Sequence, residues 1–141
     1  MTENGALYSF GASFCGQLGH GSVDSKRSPK MVDALRHVRI AATAVGTNFS
    51  LALTDDGAVF SWRWNNSGQL GLGHGGGSEV LPQKVESLNG LNVCAVAAGE
   101  NVGCAVTAAG ELYKWGDRSC GMLGHGDIAD QHAPKRGGPP R

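Results

Sequence analysis

The feature that most constrains this chain is that it repeats itself. Gly5-Ala6-Leu7-Tyr8-Ser9-Phe10-Gly11 returns as Gly57-Ala58-Val59-Phe60-Ser61-Trp62-Arg63 and again as Gly110-Glu111-Leu112-Tyr113-Lys114-Trp115-Gly116, at offsets of 52 and 53 residues. After a four-residue gap each copy continues, as Gly16-Gln17-Leu18-Gly19-His20-Gly21, Gly68-Gln69-Leu70-Gly71-Leu72-Gly73 and Gly121-Met122-Leu123-Gly124-His125-Gly126. Pro29, Pro82 and Pro134 keep the same register, and the block from Gly46 to Thr54 aligns with that from Gly99 to Thr107. Four blocks in one register define a repeat architecture, in which each copy buries its apolar face against the next.

Each copy reads as strands. Leu7 to Phe10, Val59 to Trp62 and Leu112 to Trp115 are short aromatic and aliphatic runs bounded by glycine, too short for helices. Ile40 to Val45 and Val93 to Ala98 lead through Gly-x-Asn turns into Phe49 to Leu53 and Val102 to Val106, a pattern that predicts two antiparallel hairpins. A fourth strand is expected around Met31-Val32 and Gln83-Lys84-Val85. Four short strands in about 50 residues are the signature of a propeller blade.

Glycine supplies 23 of the 141 residues, against a usual share of about 7%. Glycines permit positive φ in tight connections and close approach of one backbone to another. Arg63 stands where the other copies have Gly11 and Gly116, so a positive φ there would strain the second copy. The 12 Lys and Arg balance the 12 Asp and Glu, which argues against a strongly basic nucleic-acid binder. No apolar run approaches the length of a membrane span, and Met1-Thr2-Glu3-Asn4 opens no signal-like segment. An intracellular location, cytoplasmic or nuclear, is the expectation, with Cys15, Cys94, Cys104 and Cys120 as free thiols.

The glycine-bounded aromatic run, the Gly-Gln-Leu-Gly-x-Gly block and the later Gly-x-Asn-x-x-x-Ala-[Leu/Val]-Thr block together resemble the repeat of the regulator of chromosome condensation family over about residues 5 to 135. The repeats divide as 5–56, 57–109 and a partial 110–135, followed by a flexible tail at 136–141. The resemblance implies an all-β fold, a partial β-propeller of four-stranded antiparallel blades, open unless other chains complete it. The family's full propeller has seven blades, which at about 52 residues each need roughly 360 residues. Fewer than three repeats are present, so the chain is expected to be a fragment, a truncated product or one part of an assembly. Its exposed blade edges would then favour self-association.

The resemblance also implies function. Family members serve as guanine-nucleotide exchange factors with chromatin association, and as interaction modules in ubiquitin ligases and a plant UV-B photoreceptor. The photoreceptor-type Gly-Trp-Arg-His-Thr blocks are absent, and Phe49 and Val102 stand where family repeats usually carry a histidine. The expectation is a non-enzymatic protein-interaction module. Its alternatives are an exchange factor for a Ran-like small GTPase and a substrate-binding remnant of a HECT-type ubiquitin ligase.

The candidate residues divide into two groups. Gly11, Gly16, Gly19, Gly21, Gly46, Gly68, Gly71, Gly73, Gly99, Gly116, Gly121, Gly124 and Gly126 are expected to shape the blades. Lys26, Arg27, Lys30, Arg36 and Arg39, with His37 beside them and only Asp33 opposed, form a basic loop suited to a protein partner, a phosphate or nucleic acid. No catalytic residue, cofactor or metal is expected. Gly71-Leu72-Gly73-His74-Gly75-Gly76 fits a dinucleotide fingerprint, but Pro82 leaves no room for the helix that fingerprint needs. Cys15 with His20 and Cys120 with His125 are one repeat position on separate copies, and Cys94 and Cys104 read as small hydrophobes packed in neighbouring strands.

Overall fold

A computed structural model describes residues 1–117 and 130–137. Ten strands follow in chain order: β1 (Tyr8–Gly11), β2 (Lys26–Met31), β3 (Ile40–Val45), β4 (Phe49–Thr54), β5 (Val59–Trp64), β6 (Ser78–Lys84), β7 (Val93–Ala98), β8 (Val102–Thr107), β9 (Leu112–Gly116) and β10 (Gln131–Arg136). They form two antiparallel four-stranded sheets, ordered β3-β4-β5-β6 and β7-β8-β9-β10, and one two-stranded sheet of β1 and β2. The four-stranded sheets are the middle and last blades, and β1 with β2 is a half-blade. Both expected hairpins are present, with Val45 opposite Ser50 and Ala98 opposite Gly103.

Apolar residues recurring every 52 or 53 positions pack the blades face to face. β4 is buried along its whole length, and Phe49, Leu51 and Leu53 meet Val93, Ala105 and Trp115 between the middle and last blades. Val32, Leu35, Ile40, Ala52 and Trp62 fill the joint between half-blade and middle blade. Each joint is locked by one indole. Trp62 Nε1 donates to the Gln17 carbonyl at 3.0 Å, and Trp115 Nε1 to the Gln69 carbonyl at 2.8 Å. A methyl group on Gly71 would stand 2.9 Å from Trp115 Nε1, so the loop must carry glycine there.

Several boundaries differ from expectation. The outer strands β2 and β6 begin earlier than Met31 and Gln83, and they contain Pro29 and Pro82. A missing N–H is tolerated on an edge strand facing solvent, so proline does not end the strand. Val32 and Val85 are not strand residues, but enter 3₁₀ turns at Asp33–Leu35 and Glu86–Leu88 that bury Leu35 and Leu88. The last blade runs one residue past the expected boundary at 135, because β10 includes Arg136 and Gly137 N–H donates to the Leu112 carbonyl. Arg136 therefore belongs to a blade rather than to a tail, and residues 138–141 lie outside the described residues. Cys94 is exposed and Cys104 half-buried, so Cys94 is not a core residue. No helix among the described residues is long and apolar enough to cross a membrane.

Arg63 has φ +93°, beside +110° at Gly11 and +106° at Gly116. Its guanidinium donates to the Thr47 carbonyl and lies 5.8 Å from the Trp64 ring centroid. Those contacts offset the backbone strain only in part, so Arg63→Gly should raise stability by about 1 kcal/mol, read as a higher thermal midpoint. Trp115→Phe should lower it by about 1–3 kcal/mol, because the buried Gln69 carbonyl loses its donor.

Candidate functional site

The basic residues do not share a loop. Lys26, Arg27 and Lys30 lie on β2, the outer strand of the half-blade, with Arg27 and Lys30 exposed and Lys26 half-buried. This corrects the sequence expectation of one basic loop. Arg36 follows the 3₁₀ turn, is exposed, and donates through Nε to His37 Nε2 at 3.3 Å. Arg39 is engaged within the fold, donating to the Glu3 carbonyl at 2.9 Å with its Nε 3.6 Å from Asp55. Lys26, Arg27 and Lys30 thus form the outward basic strip, Arg36 stands on the following turn, and Arg39 ties the N-terminal segment to the middle blade.

Sequence reasoning missed His20, which sits behind this strip. Its Nε2 is 3.0 Å from Ser9 Oγ, and Ser9 Oγ donates to the Leu18 carbonyl at 2.6 Å. The serine proton is committed to that carbonyl, so the neutral ring donates from Nε2. Nδ1 is buried without a partner. Burial lowers the His20 pKa below 6.5, and Lys30 and Lys26 act the same way, against the Ser9 backbone and Asp33, which favour the charged ring. The signal was available in the Ser9 and His20 spacing only once β1 and the following loop were known to meet.

A second polar group joins the inner turns of adjacent blades. Asn48 Nδ2 donates to Asn101 Oδ1 at 2.9 Å, and Gln69 Nε2 donates to the same oxygen at 3.2 Å. The turns approach so closely that a Cβ on Gly46 would stand 2.1 Å from the Gly99 carbonyl oxygen. Gly46 and Gly99 have no positive φ, whereas Gly11, Gly16, Gly19, Gly21, Gly68, Gly71, Gly73 and Gly116 do. Gly121, Gly124 and Gly126 lie outside the described residues, as do Cys120 and His125.

Ser9 and His20 bring a hydroxyl and an imidazole together, but with the serine proton held by the Leu18 carbonyl the ring does not serve as its base. Among the described residues no group of three or more His, Cys, Asp or Glu could hold a metal ion. The loop 71–76 is fastened by Asn65 Nδ2 to the His74 carbonyl at 2.8 Å and leads into strand β6 rather than a helix. What the surface offers is charge on a rigid blade edge.

Comparison with known proteins adds the following. Residues 4–53 and 56–106 match the model described as the regulator of chromosome condensation (RCC1) repeat. The chain is 42% identical to human E3 ubiquitin-protein ligase HERC2 over 138 residues, covering 96% of this chain and 3% of that protein. It is 42% identical to the ultraviolet-B receptor UVR8 of Arabidopsis thaliana, covering 92% of this chain and 29% of the receptor. It is 38% identical to mouse protein RCC2, covering 89% and 24% respectively. Among solved structures, yeast RCC1 (Prp20) bound to Kap60 superposes with a TM-score of 0.81 at 28% identity, over 96% of this chain and 33% of that one. Prp20p from Saccharomyces cerevisiae, studied for its binding to Gsp1p and histones, superposes with a TM-score of 0.80 at 26% identity, over 96% and 35%. The chain therefore spans about a third or less of each of these proteins.

The His20 environment sets a sign for acid sensitivity. A base whose pKa is lowered by folding binds its proton more readily when unfolded, so its contribution is fully present above about pH 6.5 and is lost as pH falls through the folded value. Between pH 7.5 and 5.5, on the order of one unit either side of the ordinary histidine value, the wild-type thermal midpoint should fall more steeply than that of His20→Gln.

Proposed function

The chain belongs to the regulator of chromosome condensation repeat family, and from that membership we propose that it is a non-enzymatic protein-docking module. Its contact surface is the basic outer strand of the half-blade, and its partner presents an acidic face. The observation that carries this reading is the placement of Lys26, Arg27 and Lys30 on β2, a strand fixed by pairing with β1. Pro29 removes one N–H from that edge, so β2 is suited to contact through side chains rather than by adding a strand. A strip of cations held on a paired strand, in a chain whose formal net charge is zero, would steer an acidic partner to one place.

The reading is tested with a fluorescent polyglutamate peptide as probe. Replacing Lys26 and Lys30 together with Glu should weaken its binding by about tenfold or more, and raising salt should weaken wild-type binding in the same direction. Equal affinity of the two proteins would overturn the assignment of the surface.

Two narrower readings have support from particular relatives. The superposition on Prp20p, studied for binding to Gsp1p and histones, supports a role beside a small GTPase. Exchange requires prising nucleotide loose across an extended face, and two and a half blades supply only part of one. In stopped-flow nucleotide release, the purified chain should therefore leave the rate for a Ran-like GTPase unchanged. The 42% identity to part of HERC2 supports a substrate-holding role within a ligase. In either setting this segment would contribute binding, with bond-making chemistry residing elsewhere.

A further inference from the structure

We propose that Asn89 is a site of spontaneous deamidation, at which the backbone nitrogen of Gly90 closes a succinimide on the asparagine side chain and leaves a mixture of isoaspartate and aspartate. Asparagine or aspartate followed by glycine is the pair most open to this cyclisation, because glycine puts no Cβ beside the attacking nitrogen. The chain holds three such pairs, Asn4-Gly5, Asp56-Gly57 and Asn89-Gly90. Folding treats them differently.

The first two are tied down. Gly5 N–H donates to the Thr2 carbonyl at 2.9 Å, and the Gly5 carbonyl accepts the Ile40 N–H at 2.9 Å. A Cβ on Gly5 would stand 2.4 Å from Arg39 Cγ, so the peptide has no room to turn. The Asn4 side-chain oxygen is also engaged, by the Thr2 hydroxyl and the Ala6 N–H. Gly57 N–H donates to the Thr54 carbonyl at 3.1 Å, and the Asp56 carboxylate accepts the Thr54 hydroxyl.

Asn89-Gly90 has none of these restraints. Both residues are exposed, and the Gly90 N–H and the Asn89 side chain have no hydrogen-bond partner among the described residues. A Cβ on Gly90 would meet nothing within 4 Å. The pair forms the centre of a turn closed by the Leu91 N–H on the Leu88 carbonyl at 3.2 Å. Asn89 at φ −62° and ψ 132°, followed by Gly90 at φ +78°, makes it type II. The same turn one copy earlier is closed by the Val38 N–H on the Leu35 carbonyl at 3.2 Å, but Arg36 there has ψ −21°, the type I value. The fold thus accepts both turn types at this place, and they differ by the turning over of the central peptide. At Asn89 that rotation sweeps the Gly90 nitrogen past the side-chain carbonyl carbon.

The nitrogen, its proton passed to a solvent base, bonds to Asn89 Cγ, and the Cγ–Nδ2 bond breaks to release ammonia. Water then opens the ring at either carbonyl. Opening at the backbone carbonyl leaves isoaspartate, which lengthens the main chain by a methylene and adds a carboxylate to the turn that follows Glu86. The added length falls between Leu88, fully buried, and Leu91, packed on the same core cluster. Isoaspartate at this position therefore loosens the turn that anchors Leu88.

The experiment ages the purified full chain at mildly alkaline pH, with and without denaturant, and follows conversion by peptide mapping. Isoaspartate is read separately, by methyl transfer from S-adenosylmethionine with an isoaspartate-specific carboxyl methyltransferase. In the folded chain Asn89 should convert about tenfold or more faster than Asn4, since each hydrogen bond that must open before attack lowers the reactive population. In denaturant the two rates should converge. Asn89→Gln should remove methyl acceptance from the folded chain, and its thermal midpoint should hold on ageing while that of the wild type falls. Gly90→His, which restores the residue of the first copy, should slow conversion. Equal rates at Asn4 and Asn89 in the folded chain, or undiminished methyl acceptance in Asn89→Gln, would overturn the proposal. So would an Asn89 that stays intact in the folded chain over the time in which the denatured chain converts.

Discussion

An indole N–H from one blade meeting a backbone carbonyl in the loop of the blade before it is the contact on which the rest of the structure depends. It requires three things at fixed spacing. A tryptophan must stand near the end of the third strand, a glycine must leave room beneath the ring, and a glutamine must hold the loop so that its carbonyl faces the indole. Trp115, Gly71 and Gln69 meet all three, and Gln69 Oε1 also accepts the Ser67 N–H at 2.9 Å to set the turn. Trp62, Gly19 and Gln17 repeat the arrangement, with Gln17 Oε1 3.0 Å from the Cys15 N–H. Removing any one of these groups leaves either a buried polar atom unpaired or a ring without space.

That requirement explains why so much of the fold could be read before any coordinates. The spacing of Gly-Gln-Leu-Gly after each aromatic run is the imprint of the joint, and the Gly-x-Asn turns are the imprint of the inner hairpins. What escaped the reading was set by context rather than by local pattern. Pro29, Pro82 and Pro134 marked the repeat register but not the strands that contain them, since proline is compatible with a strand only on an outer edge, where no neighbour asks for the missing N–H. The pairs Val32 with Leu35 and Val85 with Leu88 carried a visible spacing of three, but a single 3₁₀ turn is too short to separate from a strand end.

The candidate surface was less legible than the fold. A run of cations in sequence says nothing about which of them folding engages. Arg39 meets Asp55 and the Glu3 carbonyl across 16 and 36 residues of chain, which no local pattern reveals. His20 gained its character from Ser9, eleven residues earlier, and from two lysines on the opposite strand. Repeat matching even hides such residues, since it rewards what the copies share. Here Lys26 and Lys30 correspond to Glu79 and Gln83 in the second copy and to Gln131 and Lys135 in the third, so the pair of lysines belongs to the half-blade alone while the Lys30 position is basic twice.

The distribution of edges then decides how the molecule can associate. Outer strands carry proline and charge, both of which discourage another strand from adding at the rim. Inner faces carry small and apolar residues shaped to receive a neighbouring blade. The inner strand β1 carries Tyr8, Ser9, Phe10 and Gly11, with neither proline nor charge. Phe10 is 61% exposed, while its counterparts Trp62 and Trp115 are buried at the joints they lock. Apolar burial is therefore directed along the succession of blades, and charge is directed outward from the rim.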